Sequence, residues 1–494
     1  MFNQFHDILP GSGIRENYID AAKRYKVAKE LGDHELDGAL SRITGRINTA
    51  GVKGHPVVVY NPLSWERTDV VKLRLPDGSP EECSIYDASG REIPSQIVKK
   101  GVLSREIIFV ASGVPSLGYK VYDLRPGETR LASADVQVSD TTLENQFYKV
   151  TVDPDSGWVK SIFDKTIGRE LLTGYGNRLQ VLEDKPKQWD AWNIGLTGVE
   201  YPAKFRKIEV LEKGPVIIVL RVYSDLRKPG DIGAFPTDNF PTSFFKQDII
   251  LYNGIDRVDF RTDVDWWETH TMLKVAFPVN LIDSLATYEI PYGTIVRATI
   301  PTNSWERAKW EVPAERWADM SHDGFGVSLL NNSKYGYDIK GSMMRLSLLR
   351  SPVWPDPTAD RGEHHIDYSI YSHAGTWRAG GTEQQGYDFN YPLTARVTTR
   401  HGGNLPMSYS FFKLSPSNLV LTIAKQAEDS KAWVIEWYDA SGKDSRADLT
   451  LPRRPRRVVE SNFLEADGKP VPFTGNHVII DTKKNSIKTI KVYF

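Results

Sequence analysis

Apolar residues in this chain keep a helical period over one stretch only, and after it the pattern turns to short strand-like runs. Ile14, Tyr18, Ala21, Tyr25, Ala28 and Leu31 fall at 4-3-4-3-3 spacing, one face of a helix. Gly32 and Asp33 interrupt the run, and Leu36, Leu40, Ile43 and Ile47 resume it at 4-3-4. A glycine directly after the last periodic residue is a helix stop signal. Residues 14–48 are therefore expected to form a short α-helical hairpin. Two short helices cannot bury both apolar faces unaided, so each needs a partner.

From Val57 onward the runs are of β type. Val57–Tyr60, Val70–Leu75, Ile107–Val110 and Tyr119–Leu124 are separated by turn signals such as Asn61-Pro62, Pro76-Asp77-Gly78 and Ala88-Ser89-Gly90. Asp135–Asp140 reads as a linker or an edge. A larger β region includes Val216–Tyr223, Phe245–Tyr252, Arg257–Val264, Leu273–Phe277 and His365–Tyr371. A last module has strands near Leu419–Ala424, Ala432–Tyr438 and Lys488–Tyr493. No strand–helix–strand alternation occurs, which argues against a Rossmann or TIM-type architecture within the chain. The expected division is a helical segment at 1–50, a small β-sandwich at 51–130, a large central β-sandwich at 131–400 and a C-terminal β module at 401–494. The tetrapeptide Ser-Trp-Glu-Arg occurs at 64–67 and again at 304–307, but nothing around the two copies is alike, so it is no repeat.

Composition narrows the function classes. With 40% hydrophobic and 25% charged residues, the chain is neither disordered nor a coiled coil. No run of 18 apolar residues exists, so no membrane-spanning helix is expected. The net charge of −1 supplies no long-range field to gather nucleic acid or an anionic membrane. The single cysteine, Cys83, excludes internal disulfides and any metal site built from several cysteines. The first residues, Met-Phe-Asn-Gln-Phe-His-Asp, show no signal peptide, so a cytoplasmic location is the default expectation. The 13 Trp, 22 Tyr and 19 Phe suit large β-sandwich cores, and they also suit sugar binding, because aromatic faces pack on pyranose C–H groups.

Four segments could carry chemistry. In Asn3–Ser12 a His6-Asp7 dipeptide precedes a Pro-Gly-Ser turn; an imidazole with a neighbouring carboxylate can ligate a metal, or it can be solvated surface. In Pro357–His373 three histidines invite a metal reading, which strand geometry resists. His364 would face away from His365 and His373, and the latter two would lie about 26 Å apart at ~3.3 Å per residue. In Asp263–His270 alternation places Asp263, Asp265 and Trp267 on one face, with Val264, Trp266 and Glu268 on the other. That face fits a paired-carboxylate hydrolase site and equally a charged strand end. Trp189-Asp190-Ala191-Trp192-Asn193 is either a sugar platform or packing against the sandwich. No Gly-rich phosphate loop, Gly-x-Ser-x-Gly elbow or His-Glu-x-x-His occurs.

Together these segments resemble the family 38 glycoside hydrolases, the retaining α-mannosidases. The signature Asn-Gln-Phe-His-Asp-Ile-Leu-Pro-Gly-Ser stands intact at 3–12. Further matches follow in order: Val59–Trp65, Glu144–Tyr148, Ser161–Lys165, Trp189–Trp192, Leu273–Pro278, Arg316–Asp319, Lys334–Asp338 and Leu348–Pro352. The resemblance covers nearly all of the chain and is weakest after about residue 400. It implies a mainly β fold of antiparallel β-sandwich modules, with a galactose-mutarotase-like large sandwich preceded by the short α-helical hairpin. It also implies a Zn2+ cofactor, with His6 as one ligand and Asp7 as its orienting partner. Mannose-containing oligosaccharides or N-glycans would be the substrate, and the sandwich would lean Trp189, Asp190, Trp192, His270, Asp360 and His364 toward the pocket.

The sequence departs from the family in one large respect. The signature begins at residue 3, and no segment matches the nucleophile, the general acid or the other three zinc ligands. One histidine cannot hold a catalytic zinc, which takes about three protein ligands. Asn193 also stands where many relatives carry Asp. The chain is thus expected to be the C-terminal portion of an α-mannosidase, inactive by itself, with residues 1–50 holding the end of the catalytic-domain motif and a helical-bundle remnant. The alternative is a non-catalytic carbohydrate-binding β-sandwich protein, or one completed by a separately encoded catalytic half.

Overall fold

The computed structural model describes residues 2–100, 104–129, 135–228, 231–232, 235–236, 241–322 and 324–494. The expected boundary at 130/131 lies outside them. The chain divides into two compact units. One comprises Met1–Ile43, Ala134–Tyr288 and Val296–Thr382; the other comprises Thr44–Ser133, Glu289–Ile295 and Glu383–Phe494.

The first unit opens with one continuous helix, Arg15–Thr44, in place of the expected hairpin. Gly32 and Asp33 lie inside it. Gly32 keeps a right-handed backbone, with none of the left-handed φ that would end a helix there, so it stands as an interior residue. A mid-helix glycine costs about 1 kcal/mol relative to alanine, which thirty residues can carry. Ion pairs one turn apart bridge the weak point, Lys26–Glu30 at 3.9 Å and Lys29–Asp33 at 2.5 Å. Only Ala21 is buried between residues 15 and 43. The N-terminal segment holds the helix by side-chain bonds: Asn3 Nδ2 donates to the Ala21 carbonyl at 3.3 Å, and the Tyr18 hydroxyl accepts from Gly13 N at 2.7 Å. No helix among the described residues is long and apolar enough to cross a membrane.

The rest of this unit is the large sandwich. Antiparallel strands pair in the order Ala203–Lys213, Ile217–Leu226, Ser243–Tyr252, Val258–Trp266, Gly362–Ala374, Phe325–Asn331 and Trp317–Ser321, the main run of a nine-stranded sheet. A six-stranded sheet centres on Arg178–Asp184, Thr271–Pro278 and Met343–Ser351. A five-stranded sheet spans residues 137–170, and Gln137–Val138 is its edge, where a linker or edge was expected. All three contribute to one buried cluster. Phe260 and Tyr368 of the large sheet pack with Phe277 of the six-stranded sheet at 5.4–6.3 Å between rings.

In the second unit a small sandwich pairs His55–Asn61 with Gly118–Pro126, and Arg67–Arg74 with Ser104–Val114, over a core that includes Val57, Val71, Phe109 and Tyr122. A last sandwich of two four-stranded sheets closes over Trp437, Ile435, Leu449 and Ile490. The two Ser-Trp-Glu-Arg copies differ, as their dissimilar surroundings require. Ser304–Arg307 forms a short helix capped by Asn303, whereas residues 64–67 lead into the strand Arg67–Arg74. Residues 377–380 and 382–390 form short helices that the sequence reading did not anticipate.

A Cβ added at Gly32 would meet no atom within 4 Å. In a continuous helix Gly32→Ala should therefore raise stability by about 0.5–1 kcal/mol, measured by urea unfolding. A loss of similar size would indicate that Gly32 ends a helix.

Candidate functional site

The Trp189–Asn193 loop grows from the end of the strand Arg178–Asp184, and its two feet are tied by adjacent carboxylates. Glu183 accepts from Lys185 Nζ at 2.5 Å, the Tyr201 hydroxyl at 2.7 Å and Thr197 Oγ1 at 2.8 Å. These bonds hold its carboxyl at about 2, well under the ordinary value, the Lys185 bond being the largest cause. Asp184 Oδ1 accepts from Gly195 N at 2.6 Å. Gly195 must be glycine for steric reasons, because a Cβ there would lie 2.5 Å from the Pro186 backbone. At the apex, Trp189 is left-handed with φ +62, and its carbonyl accepts from both Trp192 N and Asn193 N at 2.9 Å.

Arg350, the penultimate residue of the strand Met343–Ser351, holds this loop. Its Nε donates to Asp184 Oδ2 at 2.6 Å, Nη1 to the Ala191 carbonyl at 3.1 Å and Nη2 to the Asp190 carbonyl at 2.6 Å, with a further bond to the Asn193 carbonyl. A planar guanidinium alone can serve a carboxylate and several carbonyls at once. The Arg350 backbone N–H donates to Asp360 Oδ2 at 3.2 Å.

The indoles stand clear of the core. Trp189 and Trp192 are about half exposed and meet edge-on at 6.1 Å between rings; Trp354 joins them at 5.2 and 5.3 Å. Asp190 Oδ2 lies 3.8 Å from His270 Nδ1 and accepts from Val353 N at 3.4 Å. Like Trp189, His270 (φ +50) and Asp360 (φ +58) are left-handed. Such strain at three neighbouring non-glycine residues is of the kind that gathers at binding sites. His364 Nε2 donates to the Asp360 carbonyl at 2.7 Å.

Beside this loop lies a cavity of about 790 Å3, lined among others by Tyr18, Ala191, Trp267, Arg350, Asp356 and Asp360. Burial raises the Tyr18 hydroxyl above its usual range. The Gly13 N–H opposes that, while Asp356, Asp360 and Asp7 add to it, so the signature carboxylate faces the same electrostatic neighbourhood as the cavity's own. His6 is largely exposed and meets Asp7 at 3.2 Å. No group of three or more His, Cys, Asp or Glu among the described residues could hold a metal ion. These residues therefore do not fit a zinc site on their own; His6 is a lone donor. The three histidines of 364–373 go to three partners: His364 to the Asp360 carbonyl, His365 to Asp263 at 2.7 Å, and His373 to buried Asp319 at 2.9 Å.

Trp189, Asp190, Trp192, His270 and Asp360 are thus brought together around Arg350; His364 reaches them only through the Asp360 carbonyl and lines a different groove. Sequence reasoning gave no role to Arg350, Glu183, Trp354 or Tyr18. The signal for Arg350 was its place inside the family-like segment Leu348–Pro352, which did not single it out from its neighbours.

This arrangement of sandwiches is the fold of a solved protein in the glycosyl hydrolase family 38 from Enterococcus faecalis. The family described as "Glycosyl hydrolases family 38 C-terminal domain" matches residues 143–358, and its "C-terminal beta sandwich domain" matches 418–490. Alpha-mannosidase 2C1 of Homo sapiens is 32% identical over 476 residues, 94% of this chain and 42% of that protein. Alpha-mannosidase G of Dictyostelium discoideum is 28% identical over 497 residues, 94% of this chain and 44% of that protein. The crystal structure of an alpha-mannosidase from Enterococcus faecalis V583 superposes with a TM-score of 0.82 at 18% identity, covering all of this chain and 62% of that one, and so shares its fold. The chain belongs to glycosyl hydrolase family 38, and it spans less than half the length of these two curated relatives.

Two outcomes test the loop. Arg350→Ala leaves buried Asp184 without its cation and should cost about 3 kcal/mol in urea unfolding; Arg350→Lys should recover only part of it. Glu183 is depressed in the fold, so its contribution is complete above about pH 4.5 and lost as pH falls toward 2. Glu183→Gln should accordingly flatten the stability profile between those pH values.

Proposed function

We propose that this chain is the glycan-facing, C-terminal part of a retaining, zinc-dependent α-mannosidase acting on terminal α-D-mannosyl residues of oligosaccharides or N-glycans. The observation that carries the substrate class is the collinear similarity, over 94% of the chain, to proteins named alpha-mannosidase. The local geometry agrees with a sugar ligand. The half-exposed indoles offer apolar faces to pyranose C–H groups, and a cavity of about 790 Å3 beside them has polar groups at fixed positions.

The carboxylates around the cavity are already committed. Asp184 serves Arg350 and Gly195; Asp190 accepts from Val353 N near His270; Asp356 accepts from Thr358 N and Oγ1; Asp360 accepts from Arg350 N. Nucleophile and general acid need carboxyl groups free to reach the glycosidic bond from two sides. In this reading the residues described here bind and orient the mannoside, and bond cleavage belongs to other side chains of the complete enzyme. His6 would give at most one zinc ligand, with Asp7 orienting its ring. The committed carboxylates also favour a second reading, a carbohydrate-binding protein without hydrolysis.

The chain alone, with or without Zn2+, should release no product from an aryl α-mannoside, and equilibrium dialysis should leave no stoichiometric zinc bound. Methyl α-mannoside should bind, and Trp192→Ala should weaken that binding about 10-fold. Turnover abolished by His6→Ala would overturn the assignment of cleavage to other residues. Absence of mannoside binding would overturn the binding role.

A further inference from the structure

A second groove, also of about 790 Å3, lies on the open face of the nine-stranded sheet. The register of the pairing builds its floor. Tyr223, Lys246, Asp263 and His365 stand opposite one another in one cross-strand row, and Asp225, Phe244, Asp265 and Glu363 in the next outward-facing row. On the two central strands, Ser243–Tyr252 and Val258–Trp266, the neighbours Phe245, Val264 and Trp266 are at most 2% exposed, so alternation separates the two faces there.

Aromatic rings on this floor are interleaved with carboxylates. Phe244 is 47% exposed and lies between Asp225 and Asp265; Trp267, 56% exposed, donates Nε1 to Asp265 Oδ1 at 2.6 Å. That bond fixes the indole at the end of the row. Arg206 pairs with Asp225, His365 holds Asp263 at 2.7 Å, and the Lys207 ammonium sits 4.5 Å from the centre of the Tyr223 ring. Arg206, Lys207 and Lys246 nearly balance the four carboxylates Asp225, Asp263, Asp265 and Glu363.

This balance selects the ligand chemistry. A polyanion finds no net positive field here, and an apolar peptide would strip water from Asp265 and Glu363 while offering them no donors, which is costly. A neutral polyhydroxylated chain meets both demands. Its C–H faces can cover Phe244, and pairs of hydroxyls can donate to Asp265 and Glu363; Trp267, at the end of the row, lines the helix-side cavity instead. We infer that this groove is a second binding site, for a neutral oligosaccharide of about two or three sugar units, set by its volume, and separate from the helix-side cavity. It needs no mannosidase activity: only the sheet face and its charge balance enter.

Titration calorimetry of the full chain with α-mannotriose and with maltotriose tests it. Binding of at least one trisaccharide is expected, weakened about 10-fold or more by Phe244→Ala and by Asp265→Asn, and unchanged by Trp192→Ala at the other cavity. Phe244 and Asp265 lie on the open face, so circular dichroism should confirm that both variants fold. Unchanged affinity in both variants, or no trisaccharide binding by the parent chain, would overturn the proposal. Failure of methyl α-mannoside to bind would count against the mannosidase reading and would leave this one standing.

Discussion

The large sandwich depends on one constraint: each strand of its main sheet must bury alternate side chains against the facing sheets. Phe260, Tyr368 and Phe277 meet across that interface, and Trp266, fully buried, donates Nε1 to Ser351 Oγ at 2.5 Å. Each such ring removed from water contributes about 1.5–3 kcal/mol, so a register slip by one residue, which would turn these rings outward, is strongly disfavoured. The Trp266–Ser351 bond also pins the end of the strand Met343–Ser351. Arg350, one residue earlier on that strand, is carried to the Trp189–Asn193 loop by the packing of its neighbours.

Arg350 then converts a rigid strand end into a rigid loop. Four of the five N–H groups of the guanidinium are taken up by one buried carboxylate and three carbonyls, so the charge is held within the protein. Glu183 does the reverse at the loop's base, a single carboxylate receiving a lysine and two hydroxyls. Between these opposite charges the backbone of residues 185–195 has few free choices. That fixation explains how Trp189 can keep a left-handed conformation and two indoles can stay half exposed.

Much of the fold was legible because period-two alternation is a direct consequence of one-sided burial. The assignment of Asp263, Asp265 and Trp267 to one face and Val264, Trp266 and Glu268 to the other is what the structure has, with the second set buried. The separation of His364, His365 and His373 followed from the same geometry. The helix was read less well. Gly32 is a stop signal only when the chain turns left-handed there, and it does not. Among site residues, Trp189, Asp190 and Trp192 were marked by composition. Arg350 was not, because its role rests on carbonyls of a loop about 160 positions away in sequence, and carbonyls leave no trace in residue identity.

The main sheet has one further consequence. Its register is set from below, by Phe245, Val264, Trp266 and the rings they meet, and hardly at all by the side chains above. Tyr223, Phe244, Asp265 and Glu363 can therefore be exchanged over generations with little penalty to folding, while the backbone that presents them stays in place. In descendants of this fold the upper rows are where sequences are free to diverge, and a change of ligand preference there would require no change of architecture.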